Sequence, residues 1–99
     1  MGEALKLLRI FNGYKSAELA GLLGISQSYV SELENEKKQP TMEVLDKYAK
    51  VFDMKKSTLM LFAEALQNDS ANMDKKQRVA RGGMRLLKIL EKVGEFENE

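Results

Sequence analysis

Gln27, Ser28, Ser31 and Glu32 lie within "ISQSYVSELE" at spacings that gather them on the outer face of a helix, while Val30 and Leu33 turn inward. An amide that donates and accepts, two hydroxyls and a carboxylate make a surface suited to hydrogen-bonded recognition. The sequence has no His and no Cys, so it lacks the usual general base near neutral pH, thiol chemistry and the commonest zinc ligands. Scattered Ser and Glu without a base or metal site make no catalytic constellation. The chemistry expected is binding, with no enzyme activity, cofactor or metal.

Six helices are expected to position these residues. There is one Pro, no strand-like alternation, and apolar residues recur every three or four positions, which together predict an all-α protein. The first helix covers about residues 3–12, with Ala4, Leu5, Leu8 and Phe11 on one face and Gly13 ending it. The second, 16–23, buries Leu19, Ala20 and Leu23 before Gly24. Ser26 is placed to cap the third, because its hydroxyl can accept from a free N–H of the first turn. Pro40 and Thr41 open a fourth helix carrying Val44, Leu45, Tyr48, Ala49 and Phe52. The fifth, 57–67, has apolar residues on more than one face, so another element is expected to cover the surplus.

Residues 1–67 form the main domain on this reading, 68–74 ("NDSANMD") a polar linker, and 75–99 a basic amphipathic helix with an acidic end. In that last segment Val79, Leu86, Leu90 and Val93 keep a helical period, with Ile89 and Phe96 beside them. Gly82 and Gly83 each weaken a helix by about 1 kcal/mol relative to alanine, so regular helix is expected from about Arg85 onward. The glycines could mark a kink, a hinge or a close backbone approach.

With 99 residues, of which 43% are apolar, the chain can build one compact core. Net charge is +1, yet residues 1–73 carry 9 basic and 10 acidic groups and 74–93 carry 7 and 2. No apolar run approaches the roughly 20 residues that cross a bilayer. Together with the absence of Cys, this leads to the expectation of a cytoplasmic protein without membrane association.

"SAELAGLLGISQSYVSELE" reads as helix, tight glycine turn, helix. Such a pair can set its second helix into a DNA major groove, which is about 12 Å wide. The chain here resembles the lambda-repressor-like (Cro/C1, XRE type) helix-turn-helix family of bacterial and phage regulators. The resemblance spans roughly residues 4–66. It rests on "LLR" with Gly13 four residues after Arg9, "ELA" before "LGIS", "YVSELEN", "KKQP", and "LDKYAKVFDM" before Leu59. It implies a five-helix DNA-binding domain, here with an additional C-terminal helix, and a homodimer on a palindromic operator.

Carried over by position, the resemblance puts Gln27, Ser28 and Glu32, with Ser31 close by, where the family reads base edges. Glutamine can grip adenine N6 and N7, serine donates or accepts, and glutamate accepts from cytosine N4. Lys15, Ser16, Ser26, Tyr29, Asn35, Lys37 and Lys38 fall around the DNA backbone, where contacts fix register without reading sequence. Glu34 is expected to pair with Arg9 and hold two helices together. The chain departs from the family pattern at Lys15 and Ser16, where a capping residue and glutamine are usual, and at Lys55, where a capping residue opens the fifth helix. It departs also at Glu36, where glycine is usual, and Asn35 is expected to take over the left-handed conformation.

Leu59, Met60, Phe62 and Leu66 are expected to divide between core and a dimer or partner surface, joined by Leu86, Ile89, Leu90 and Val93 of the tail. The resemblance does not reach that tail. Its Lys75, Lys76, Arg78, Arg81 and Arg85 suit an anion such as DNA phosphate, and its apolar residues suit a packing partner. Sequence-specific transcriptional regulation, most simply repression, is the function expected. The alternatives are the DNA-binding antitoxin of a toxin–antitoxin pair, and a protein-interaction module that has lost DNA binding.

Overall fold

The computed structural model describes the backbone of residues 1–69 and 72–97, with side chains through residue 94. Phe96 and the acidic end lie outside the described side chains. Six α-helices and no strand are present among the described residues: α1 (Gly2–Phe11), α2 (Ser16–Leu23), α3 (Gln27–Glu34), α4 (Met42–Val51), α5 (Lys56–Gln67) and α6 (Lys75–Glu97).

The first four helices end alike. After α1 the N–H of Tyr14 reaches the carbonyl of Arg9, after α2 that of Ile25 reaches Ala20, after α3 that of Lys37 reaches Glu32, and after α4 that of Met54 reaches Ala49, at 2.9–3.1 Å. Each is the 6→1 bond of a Schellman ending, which needs one left-handed residue. Gly13 and Gly24 supply it without cost, at φ 73° and 71°, whereas Glu36 and Asp53 adopt it at φ 59° and 52°. Asn35 stays right-handed at φ −91°. The left-handed position after α3 is therefore Glu36 and not Asn35, because the motif fixes that residue by its distance from the last helical turn.

Leu5, Leu8, Leu19, Val30, Leu33, Tyr48, Leu59 and Phe62 form the fully buried centre. Every one of α1 to α5 contributes to it, so each helix is held by at least one inward residue. The rings of Tyr48 and Phe52 pack at a tilt of 44° with centroids 5.9 Å apart. The Tyr48 hydroxyl is buried with no hydrogen-bond partner, and burial raises its pKa.

Helix α6 begins at Lys75, ten residues earlier than the glycines suggested. Asp74 caps it: its carboxylate accepts from the Gln77 N–H at 2.8 Å, and the Gln77 side chain accepts from the Asp74 N–H at 3.0 Å. The helix then runs unbroken through Gly82 and Gly83, packing against α5 and α1. A Cβ on Gly82 would stand 2.6 Å from Leu7 Cδ1 and 3.7 Å from Phe11 Cζ and Leu66 Cδ2. The close approach at the glycine pair is of the α6 backbone to the side chains of Leu7, Phe11 and Leu66 and not to another backbone. Val79, Leu86 and Ile89 pack on the core, and α6 covers part of the apolar surplus of α5, leaving Met60 and Leu61 exposed.

Asp69, just after α5, fastens the same helix. Its buried carboxylate accepts from Arg85 Nη2 at 2.7 Å, and Arg81 Nε lies 3.6 Å away. Arg81 and Arg85, among the five cations that suggested an anion-binding tail, are thus engaged within the chain.

Candidate nucleic-acid interface

The α2–α3 pair forms a rigid unit for simple reasons. Gly24 lets the chain reverse in the left-handed region. Ser26 then caps α3, its Oγ accepting from the Tyr29 N–H at 3.1 Å. Val30 and Leu33 are 0% and 1% exposed, which fixes the rotation of α3 and leaves Gln27, Ser28 and Ser31 facing solvent. Glu32 is partly exposed, at the edge of the same face.

The far end of α3 is clamped to α1. Arg9 donates to both carboxylate oxygens of Glu34, Nε to Oε2 at 2.7 Å and Nη2 to Oε1 at 3.0 Å, and its Nη1 donates to the Tyr14 carbonyl at 3.1 Å. This is the pairing expected of Glu34. Its side chain is 6% exposed and that of Arg9 is 15% exposed, and the hydrogen bond that Arg9 donates to Glu34 raises the pKa of Arg9. A bidentate pair of this kind sets orientation as well as distance. Gly2 adds to the fit, since a Cβ there would lie 2.7 Å from the carbonyl oxygens of Leu33 and Glu34.

Around α3 the residues expected on the DNA backbone occupy a broken rim. Lys15 is exposed and Ser16 partly so at the start of α2, where the Glu18 carboxylate accepts from the Lys15 N–H at 2.9 Å. Lys37 and Lys38 are exposed beyond α3. Asn35 is exposed, but its amide already donates to the Ser31 carbonyl at 2.9 Å and to Ser31 Oγ at 3.3 Å. Tyr29 packs partly on the core. Lys38 Nζ lies 3.6 Å from Glu32 Oε2 and 5.8 Å from the centre of the Tyr29 ring, a cluster that residue spacing did not reveal because Lys38 returns to α3 through the turn at Glu36.

The surface expected for a partner divides. Leu59 and Phe62 are 0% exposed and belong to the core, out of reach of any partner in this conformation. Leu66, Leu86, Ile89 and Val93 are partly buried, the first three against the core. Met60 and Leu90 are open, and so are Leu61, Met84 and Leu87, which the sequence reading passed over. For Met84 and Leu87 the signal was the second apolar stripe of α6, hidden by the stripe that begins at Val79, whereas Leu61 lies on α5. A groove of about 520 Å³ between α1, the end of α3 and the start of α6 is lined by Glu3, Glu34 and Glu36 together with Lys6, Lys75 and Arg78, so it favours neither sign of ligand.

The helix-turn-helix family HTH_3 matches residues 5–59, more than half of the chain, including α2, α3 and both partners of the Arg9–Glu34 clamp. The chain belongs to this helix-turn-helix family. Its fold is also similar to that of a chain in the "SinR protein/SinI protein complex", with a TM-score of 0.56 at 23% identity, covering 99% of this chain and 98% of that one. That similarity spans α6 as well as the family region. No curated protein matches the sequence. Family and fold support a DNA-binding regulator of the XRE type. No helix among the described residues is long and apolar enough to cross a membrane.

Proposed function

We propose that this helix-turn-helix protein is a sequence-specific transcriptional regulator that represses by occupying a pseudo-palindromic operator as a homodimer in the cytoplasm. The observation that carries the reading is the solvent-facing row Gln27, Ser28 and Ser31 on a helix whose rotation is fixed by buried Val30 and Leu33 and whose end is fixed by Arg9 and Glu34. Rigid placement matters because base-edge hydrogen bonds discriminate only when donors and acceptors are held in register. In this reading Gln27 grips an adenine through N6 and N7, and Ser28 and Ser31 meet neighbouring edges. Lys15, Ser16, Ser26, Asn35, Lys37, Lys38 and the Tyr29 hydroxyl line the phosphates. Repression is steric, since a dimer covering a promoter excludes polymerase.

Exposed Met60 and Leu90, together with Leu61, Met84 and Leu87, provide the apolar surface for pairing two copies. The same surface supports a second reading in which a protein partner, such as the toxin of a toxin–antitoxin pair, docks on α5 and α6. The structural neighbour is part of a complex with a second protein, which adds to that reading.

Selection from a random duplex DNA pool at moderate salt tests the proposal. A two-fold symmetric consensus supports a dimeric sequence-specific regulator, and the half-site spacing then limits where the two copies meet. A folded protein that selects no consensus removes the DNA reading and leaves the protein-partner one.

A further inference from the structure

Glu32 is the one acid on the helix face assigned to DNA, and its contacts in the free protein point away from base reading. Its carboxylate faces Lys38 at 3.6 Å, and the Lys38 ammonium also lies over the Tyr29 ring, 5.8 Å from its centre. The turn that returns Lys38 to α3 is tied to Glu32 itself, whose carbonyl accepts from the N–H of Lys37 at 2.9 Å and of Lys38 at 3.3 Å. The carboxylate thus faces a lysine that follows the C-terminal end of α3, whereas recognition helices meet base edges with their N-terminal residues. The contact is longer than a hydrogen bond, and the two side chains are 57% and 36% exposed. Such a pair is screened and easily exchanged.

We infer that Glu32 determines specificity through Lys38, holding that ammonium back from DNA phosphates so that sequence-independent affinity stays low. The inference rests on the DNA-binding reading above. Non-specific binding comes almost wholly from cations on phosphates, and each one neutralised adds about 0.9 to the slope of log affinity against log salt. Residues 1–73 carry 9 basic against 10 acidic groups, so the DNA-facing part of the chain has few cations to spend and the state of one of them matters. Random duplex must compete with Glu32 for Lys38 and also meets the carboxylate as a like charge. A cognate operator, seated by Gln27, Ser28 and Ser31, brings its phosphate close enough to take Lys38 from a loose partner. Glu32 is therefore a positioning residue for Lys38.

The test uses the full chain as wild type, Glu32→Gln, Lys38→Ala and the double variant. Each is titrated with the selected consensus duplex and with an unrelated duplex of equal length over a series of salt concentrations. Glu32→Gln is expected to bind the unrelated duplex about two- to five-fold more tightly, the range over which exposed ion pairs shift an equilibrium. Its salt slope should steepen by up to about 0.9, the cognate-to-unrelated ratio should fall, and Lys38→Ala in the same chain should erase the gain. Loss of affinity for the consensus with altered preference at one base pair would make Glu32 a base reader and overturn the inference while leaving DNA binding intact. An unchanged Glu32→Gln protein would also overturn it. Wild type that binds neither duplex would overturn the DNA reading itself, and the inference with it.

Discussion

Alanine at Gly82 and alanine at Gly83 are the same chemical change one residue apart, and α6 gives them different surroundings. In a helix interior alanine is favoured over glycine by about 1 kcal/mol. At Gly83 the new Cβ would lie 3.8 and 3.9 Å from the Phe11 ring, which is ordinary contact, so Gly83→Ala should stabilise by about that full amount. At Gly82 the Cβ would fall 2.6 Å from Leu7 Cδ1, and Leu7 is only 4% exposed, with little room for its methyl to retreat. Overpacking of this kind costs about 1–3 kcal/mol. Since the propensity gain is common to both, that cost is the expected difference between the two variants. For a domain of this size each kcal/mol moves Tm by about 4–8 °C. Thermal and urea unfolding should place Gly83→Ala above wild type and Gly82→Ala at least about 4 °C below Gly83→Ala. If both variants raise Tm equally, α6 does not approach α1 at Gly82, and its docking on the domain is wrong.

Three further outcomes follow from the same contacts. Glu34→Ala leaves the Arg9 guanidinium largely buried without its carboxylate and should cost on the order of 3 kcal/mol in urea unfolding. Glu36→Gly relieves a left-handed non-glycine residue and should raise stability by about 1 kcal/mol, measured by the same method. Arg85, hydrogen-bonded to Asp69, holds that carboxyl below its ordinary value of 3.8. A depressed carboxylate pKa stabilises the fold above the unfolded value, and the contribution disappears as pH falls through the folded one. Wild type should therefore exceed Asp69→Asn in stability at neutral pH, with the gap closing below about pH 4.

Much of the main domain was legible because its signals are local. Gly24, Ser26 and Thr41 announce helix ends by their own chemistry, and the caps at Ser26 and Thr41 are formed as expected. The outward face of α3 followed from Val30 and Leu33 alone, and the Arg9–Glu34 pair from the family resemblance. Features that depend on tertiary approach were not legible. Helix propensity argues against an unbroken α6 through Gly82 and Gly83, but packing against Leu7 and Phe11 compensates. The Asp69 contacts with Arg81 and Arg85 join a loop to a helix at least 12 residues on, beyond any periodic signal. Burial of Leu59 and Phe62 was open because α5 is apolar on more than one face, and only the positions of α1 and α4 decide which face turns inward.

The most direct test of the central claim, that the exposed face of α3 reads DNA, is the affinity of wild type and Gln27→Ala for the selected consensus and for duplexes changed at one base pair at a time. Gln27→Ala should lose on the order of 1–3 kcal/mol at the consensus and become indifferent at one base pair per half-site, while keeping wild-type discrimination elsewhere. A variant that binds and discriminates as wild type does at every position would contradict the account.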